Sequence, residues 1–182
     1  MASTLTVDTI VGATTAANVK LPAGSIVQVV QTTPASTTHV TLTSSSMVEI
    51  STAMRVTITP KFATSLLRFH FHGLTGGRFT GNIMNYKFFD ITNSSNVGFS
   101  SRGTGTGRTF VNGSMRTTDT DVNDRHTLSM TAYQAASNTT ARTYGIYGMI
   151  EAGATMDFNM TGTDNAGCSY SPPVFTVEEI SQ

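Results

Sequence analysis

The stretch Met54-Arg-Val-Thr-Ile-Thr-Pro-Lys-Phe-Ala-Thr-Ser-Leu-Leu-Arg-Phe-His-Phe-His72 decides how this chain folds. In its first half Val56 and Ile58 alternate with Arg55, Thr57 and Thr59. In its second half Leu67, Phe69 and Phe71 alternate with Arg68, His70 and His72. A period of two puts each apolar set on one side of a pleated strand, so two strands are expected, each with one buried face. Pro60 has no N–H to offer a ladder and closes the first strand; Ser65 opens the second. The pair reads as an antiparallel hairpin or a corner, and in either case supplies an apolar inner wall.

The same pattern recurs outward from this stretch. Strands are expected over residues 25–31, 39–43 and 47–50, with Leu21-Pro-Ala-Gly24 as punctuation before the first and a polar loop at 32–38. Gly73-Leu-Thr-Gly-Gly77 reads as a turn. Residues 84–91 carry Met84, Tyr86 and Phe88 on one face and Lys87, Phe89 and Ile91 on the other, so that strand is central or lies at a subunit contact. Residues 92–124 are mostly loop chemistry, with short strands expected at 97–99 and 108–111; long loops in compact domains commonly carry function. Alternation resumes at 126–133, where Leu128, Met130 and Ala132 face inward, and a turn follows at 135–140. Strands at 142–150, 156–160 and 174–180 complete the chain, with a loop at 162–173. Eight to ten short strands without a helical run predict an all-β fold, an antiparallel β-sandwich of jelly-roll type.

Composition narrows the functional classes. Lys, Arg, Asp and Glu make up 12% of the 182 residues, about half the usual share, and the formal net charge is zero. Neither nucleic acid nor an anionic membrane surface is an expected partner for such a chain. Polarity comes instead from 33 Thr, 18 Ser and 10 Asn, and Thr suits a pleated surface rather than a disordered one. One cysteine, Cys168, leaves the core to packing without an intrachain disulfide. No secretory leader is expected from Met1-Ala-Ser-Thr-Leu5, and no run approaches the roughly 20 apolar residues of a membrane helix. Synthesis in a reducing cytosol follows, and the Asn-x-Ser/Thr sites at Asn93, Asn112, Asn138 and Asn159 read as by-products of Ser/Thr richness.

Residues 1–23 differ from the sandwich of residues 24–182. Leu5, Val7, Ile10 and Val11 are apolar points in a small-residue arm with no second face to fold against. Such an arm needs a partner, and these four residues are the expected docking and assembly contacts.

Several segments together resemble a family of small virion fibre and tail-fibre head domains of tailed bacteriophages. They are Gly24-Ser-Ile-Val-Gln-Val-Val-Gln31, Ile58-Thr-Pro60 with Ser65 opening the next strand, Thr143-Tyr144, and the closing Val177-Glu-Glu-Ile-Ser-Gln182. Asp90-Ile-Thr-Asn-Ser-Ser-Asn-Val-Gly98 resembles the Asp- and Gly-containing turn of such proteins, and the arm is similar to their attachment segments. Arg68-Phe-His-Phe-His72 departs from the aliphatic strand more usual there. The resemblance implies a structural virion protein, a homotrimer that contacts other virion proteins, with no catalytic role and no cofactor. Outward loops then face the host surface, where Phe79, Tyr86 or Tyr170 could stack on sugar rings of a glycan. A capsid-decorating protein and a free lectin-like sandwich are the alternatives.

Enzyme and metal signatures are thin. Gly103-Thr-Gly-Thr-Gly107-Arg-Thr109 lacks the Gly-Lys-Ser/Thr ending of a phosphate loop and reads as a hairpin tip. Nothing local orients Cys168 and His126 as nucleophile and base. The run Asp119, Asp121, Asn123 and Asp124 lacks the Gly and terminal Glu of a calcium loop and reads as a solvated turn. His70 and His72 project from one face of a strand, so three copies at a trimer axis would gather six imidazoles around a metal; beside Arg68, whose charge disfavours a cation, they read as side chains on a polar sheet face.

Overall fold

A computed structural model describes residues 21–34, 40–77, 83–98, 111–116, 126–150, 155–158 and 172–182. Among them are twelve strands: β1 Ile26–Thr32, β2 Val40–Leu42, β3 Val48–Glu49, β4 Val56–Ile58, β5 Leu66–Gly77, β6 Ile83–Asp90, β7 Ser95–Asn96, β8 Gly113–Arg116, β9 His126–Ala135, β10 Arg142–Ile150, β11 Met156–Phe158 and β12 Val174–Ile180. All the pairings are antiparallel, in two six-stranded sheets. The expected all-β sandwich is therefore the fold.

Sheet A is organised around β5. One edge of β5 pairs with β9; the other pairs first with β12 and then with β11, beyond which lie β1 and β2. Sheet B is organised around the neighbours β6 and β10, with β3 and β4 along the outer edge of β10 and β7 and β8 along that of β6. The strand over 84–91 is thus central, as its two partly apolar faces suggested.

The opening stretch makes a corner, since β4 belongs to sheet B and β5 to sheet A. Val56 and Ile58 face Leu67, Phe69 and Phe71 across a single core, all buried. Aromatic rings seam the two sheets together. Phe69 of sheet A meets Tyr144 edge-on at 4.7 Å and Phe88 at 5.8 Å, both from sheet B, while Phe88 stacks on Phe175 at 5.3 Å. Edge and offset contacts at these separations are the favourable ones for aromatic pairs.

Two expectations are corrected. Residues 73–77 do not turn: β5 continues through them, and Gly76 and Gly77 pair with Asp157 and Met156. Glycine is needed at 73 for packing rather than for a turn, because a Cβ there would come within 2.7 Å of the ring tip of buried Phe71. In the 92–124 region the described residues pair at Ser95–Asn96 and Gly113–Arg116, and Val97 and Gly98 are not in a strand; residues 99–110, which include most of the strand expected at 108–111, lie outside the described residues. Asp90 fixes the first of these by accepting from the backbone N–H and side-chain amide of Asn93, and Ser94 takes the positive φ of 50° that the tight hairpin requires. Val97 is buried there without being in a strand.

Gly73→Ala should therefore destabilise the fold by about 1–3 kcal/mol, the usual cost of overpacking a filled core. Urea unfolding followed by circular dichroism measures this directly, and the cost should fall if Phe71 is shortened to Leu in the same chain.

Candidate attachment surfaces

The described residues define the pole where the sheets are joined, the outer face of sheet A and the outer face of sheet B. At the joining pole, alternation along β12 puts Phe175, Val177 and Glu179 on the inner side. Glu179 is fully buried, so its carboxylate must be satisfied by the protein. Its oxygens accept from the backbone N–H groups of Lys61 and Phe62 at 2.9 Å and from Gln28 Nε2 at 2.6 Å. The same Gln28 amide donates to Thr59 O at 2.8 Å. Burial pushes the Glu179 carboxyl up, but the donors from Lys61, Phe62 and Gln28 outweigh it and hold the group below the usual carboxylate range.

The chain's entry is tied to the same pole. Pro22 to Ser25 form a turn closed by Ser25 N–H to Pro22 O at 3.1 Å, with Gly24 at φ 86°, a conformation open to glycine. Gly24 N–H donates to Ser181 O at 2.8 Å, and Ser181 N–H donates back to Ser25 O at 2.9 Å. Residues 59–65, 91–94 and 136–141 are the short connections at this pole. The strand ends flanking 78–82, 117–125 and 151–155 lie at the opposite pole, and those flanking 33–39 and 159–173 lie just below it, beside Phe71 to Thr75 of β5.

The outer face of sheet A carries two cross-strand rows. Val29, Glu178, Arg68 and Tyr133 lie opposite one another on β1, β12, β5 and β9; Gln31, Thr176, His70 and Thr131 form the next row. Together they line a shallow groove of about 560 Å³. The Arg68 guanidinium donates to Glu178, which raises its already high pKa first by that hydrogen bond and then by charge, and the two opposite charges offset one another. His70 Nδ1 lies 3.2 Å from Thr131 Oγ1. Tyr133 is 50% exposed and Val29 54%.

On the outer face of sheet B, Phe89 contacts Tyr147 at 4.5 Å between ring centroids, and Lys87 Nζ lies 4.9 Å over Phe89 while donating to Asn96 Oδ1 at 2.8 Å. Phe89 lies opposite Gly145 on β10, where a Cβ would come within 3.0 Å of Ile91 Cδ1. Arg55 grips both oxygens of Glu49 at 2.7 Å. The rings and cations of this face are therefore engaged with one another.

Of the residues singled out in the sequence, Tyr86 is placed differently from expectation. It faces the core with Met84 and Phe88, is fully buried, and its hydroxyl pairs with Thr75 Oγ1 across the two sheets, so it presents no ring to a sugar. Burial raises its pKa well above the ordinary tyrosine value. Leu5, Val7, Ile10, Val11, Phe79, Tyr170, Cys168 and the run from Asp119 to Asp124 lie outside the described residues. His70 and His72 are both exposed on sheet A, and among the described residues no group of three or more His, Cys, Asp or Glu side chains is arranged to hold a metal ion. Among the described residues no helix is long and apolar enough to cross a membrane. Sequence reasoning passed over Tyr133, Glu178 and Glu179; alternation along β9 and β12 was the signal for which face each occupies. No family model matches the chain, and no curated protein matches it.

Glu179→Gln should cost about 1–3 kcal/mol, because an amide brings an N–H toward backbone donors that need an acceptor. The folded carboxyl lies below its unfolded value of about 4.5, so its contribution is complete above that pH and is lost as pH falls through the folded value. Denaturant titrations of both proteins should accordingly converge as the pH drops below about 4.5.

Proposed function

We propose that this protein is a structural component of a tailed-phage virion, a homotrimeric fibre or tail-fibre head whose leading arm fastens it to the particle. The observation that carries this reading is the polarity of the sandwich. The chain enters at Leu21 beside Ser181, at the pole of short, hydrogen-bonded turns. The opposite end receives the strand ends that flank the connections 78–82, 117–125 and 151–155, with those of 159–173 just below it. In sequence the two longest of these are rich in Thr, Asp, Asn, Gly and Ser. One end of such a body is suited to docking and the other to facing outward.

The low charge and Thr-rich surface add support. A fibre head is crowded with copies of itself, and uncharged hydroxyls avoid the like-charge repulsion that a charged surface would bring. Exposed Ile26 and Val29 on β1, an edge strand of sheet A, leave apolar surface for a neighbouring copy at that edge.

Removal of residues 1–20 is expected to abolish incorporation into particles while leaving the sandwich folded. Particle proteomics and the melting transition of the truncated protein measure the two halves of that statement separately. Sedimentation equilibrium of the full chain should give three protomers; a monomer across the micromolar range, or particles that still carry the truncated protein, would overturn the reading.

A further inference from the structure

We propose that the groove on the outer face of sheet A is a binding site for a neutral oligosaccharide, with the Tyr133 ring as its platform and the Arg68–Glu178 pair as its polar clamp. The site goes beyond the virion reading and does not depend on it. It also places glycan contact on a sheet face instead of on the loop residues Phe79 and Tyr170 or the buried Tyr86.

Size and shape come first. A groove of about 560 Å³ falls within the range of small-ligand sites. Its floor crosses four adjacent strands, which at about 4.8 Å per strand gives a track of about 14 Å, long enough for a short saccharide and too shallow to enclose a compact ligand. Tyr133 is half exposed at one end of the row, so its ring can lie against the C–H face of a pyranose while its hydroxyl is engaged by the neighbouring Arg68.

The polar groups select the chemistry. Arg68 and Glu178 supply a fixed fork of donors and a carboxylate acceptor side by side, the pairing that vicinal hydroxyls need, since each hydroxyl both donates and accepts. Because the two charges already neutralise one another, an anionic sugar gains little and must disrupt the pair. His70, Thr131 and Thr176 extend the same mixed donor and acceptor surface along the neighbouring row.

A second copy of the chain fits this face less well. The cores of protein interfaces are depleted in charge, whereas the middle of this groove is an ion pair beside a histidine and hydroxyls. The exposed apolar residue that does not line the groove, Ile26, sits at the β1 edge.

The test is a titration of the full-length, ¹⁵N-labelled chain with maltotriose, cellotriose and triacetylchitotriose, with sialyllactose as the charged counterpart. At least one neutral sugar should move the amides of residues 68, 70, 131, 133 and 178 at millimolar concentration. Tyr133→Ala should weaken binding by at least about tenfold, equivalent to about 1.4 kcal/mol, and Tyr133→Phe, which keeps the ring but removes the hydroxyl beside Arg68, should weaken it less than Tyr133→Ala. Thr131→Lys, which puts a bulky charge on the groove floor at an exposed position, should abolish binding with the spectrum otherwise intact. No response to any neutral sugar, a response to sialyllactose alone, or shifts confined to another surface would overturn the proposal. So would loss of these amide signals through self-association as protein concentration rises, which would make a second copy the occupant. A monomer that binds sugar in the groove overturns the virion reading and leaves the site standing.

Discussion

The corner that joins the two sheets is held by a carboxylate from the far end of the chain. A buried Glu179 without donors would cost several kcal/mol or take up a proton. Here the backbone N–H groups of Lys61 and Phe62 supply them, and Gln28 braces the arrangement from β1. Position 179 therefore ties together β1, β12 and the crossover between β4 and β5, three segments distant in sequence. The aromatic seam can close only when this corner sets the two sheets at the right offset, because Phe69 follows the crossover directly while Phe88 and Tyr144 come from the other sheet.

Around that anchor, polarity is handled with few charges. The ion pairs Arg55–Glu49 and Arg68–Glu178 are each satisfied on the surface, and Thr57 and Thr143 share a hydroxyl hydrogen bond at 2.8 Å between β4 and β10. Cross-strand hydroxyl pairs of this kind are a standard source of sheet stabilisation. They give physical content to the abundance of Thr, since a β-branched hydroxyl suits the strand backbone and keeps the outer face wet without net charge. Inside, among the described residues, Thr75 with Tyr86 is a polar pair that links sheet to sheet.

Much of this was readable from alternation alone. Val56 and Ile58, Leu67, Phe69 and Phe71, and Leu128, Met130 and Ala132 all face the core as the period of two requires. What alternation could not show is lateral neighbourhood: that Arg68 lies between Glu178 and Tyr133 follows from pairings more than sixty residues apart, for which a single sequence holds no signal. Gly73 misled because glycine marks turns and also marks places where a neighbouring side chain needs the room, and only the position of the Phe71 ring separates the two. Tyr86 shows a different failure, since both faces of its strand carry apolar residues and only the packing shows that the face shared with Met84 and Phe88 is the inward one. Glu179, by contrast, was legible as an acid in phase with Phe175 and Val177.

Gly24 and Ser181 are bonded to each other, so the polypeptide arrives and departs within one hydrogen bond of the same spot. Whatever is joined before Leu21 or after Gln182 must share a single base. A linker or module fused directly after Gln182 starts from that base, whereas a passenger meant for display at the distal tip has to be spliced between the strand ends there.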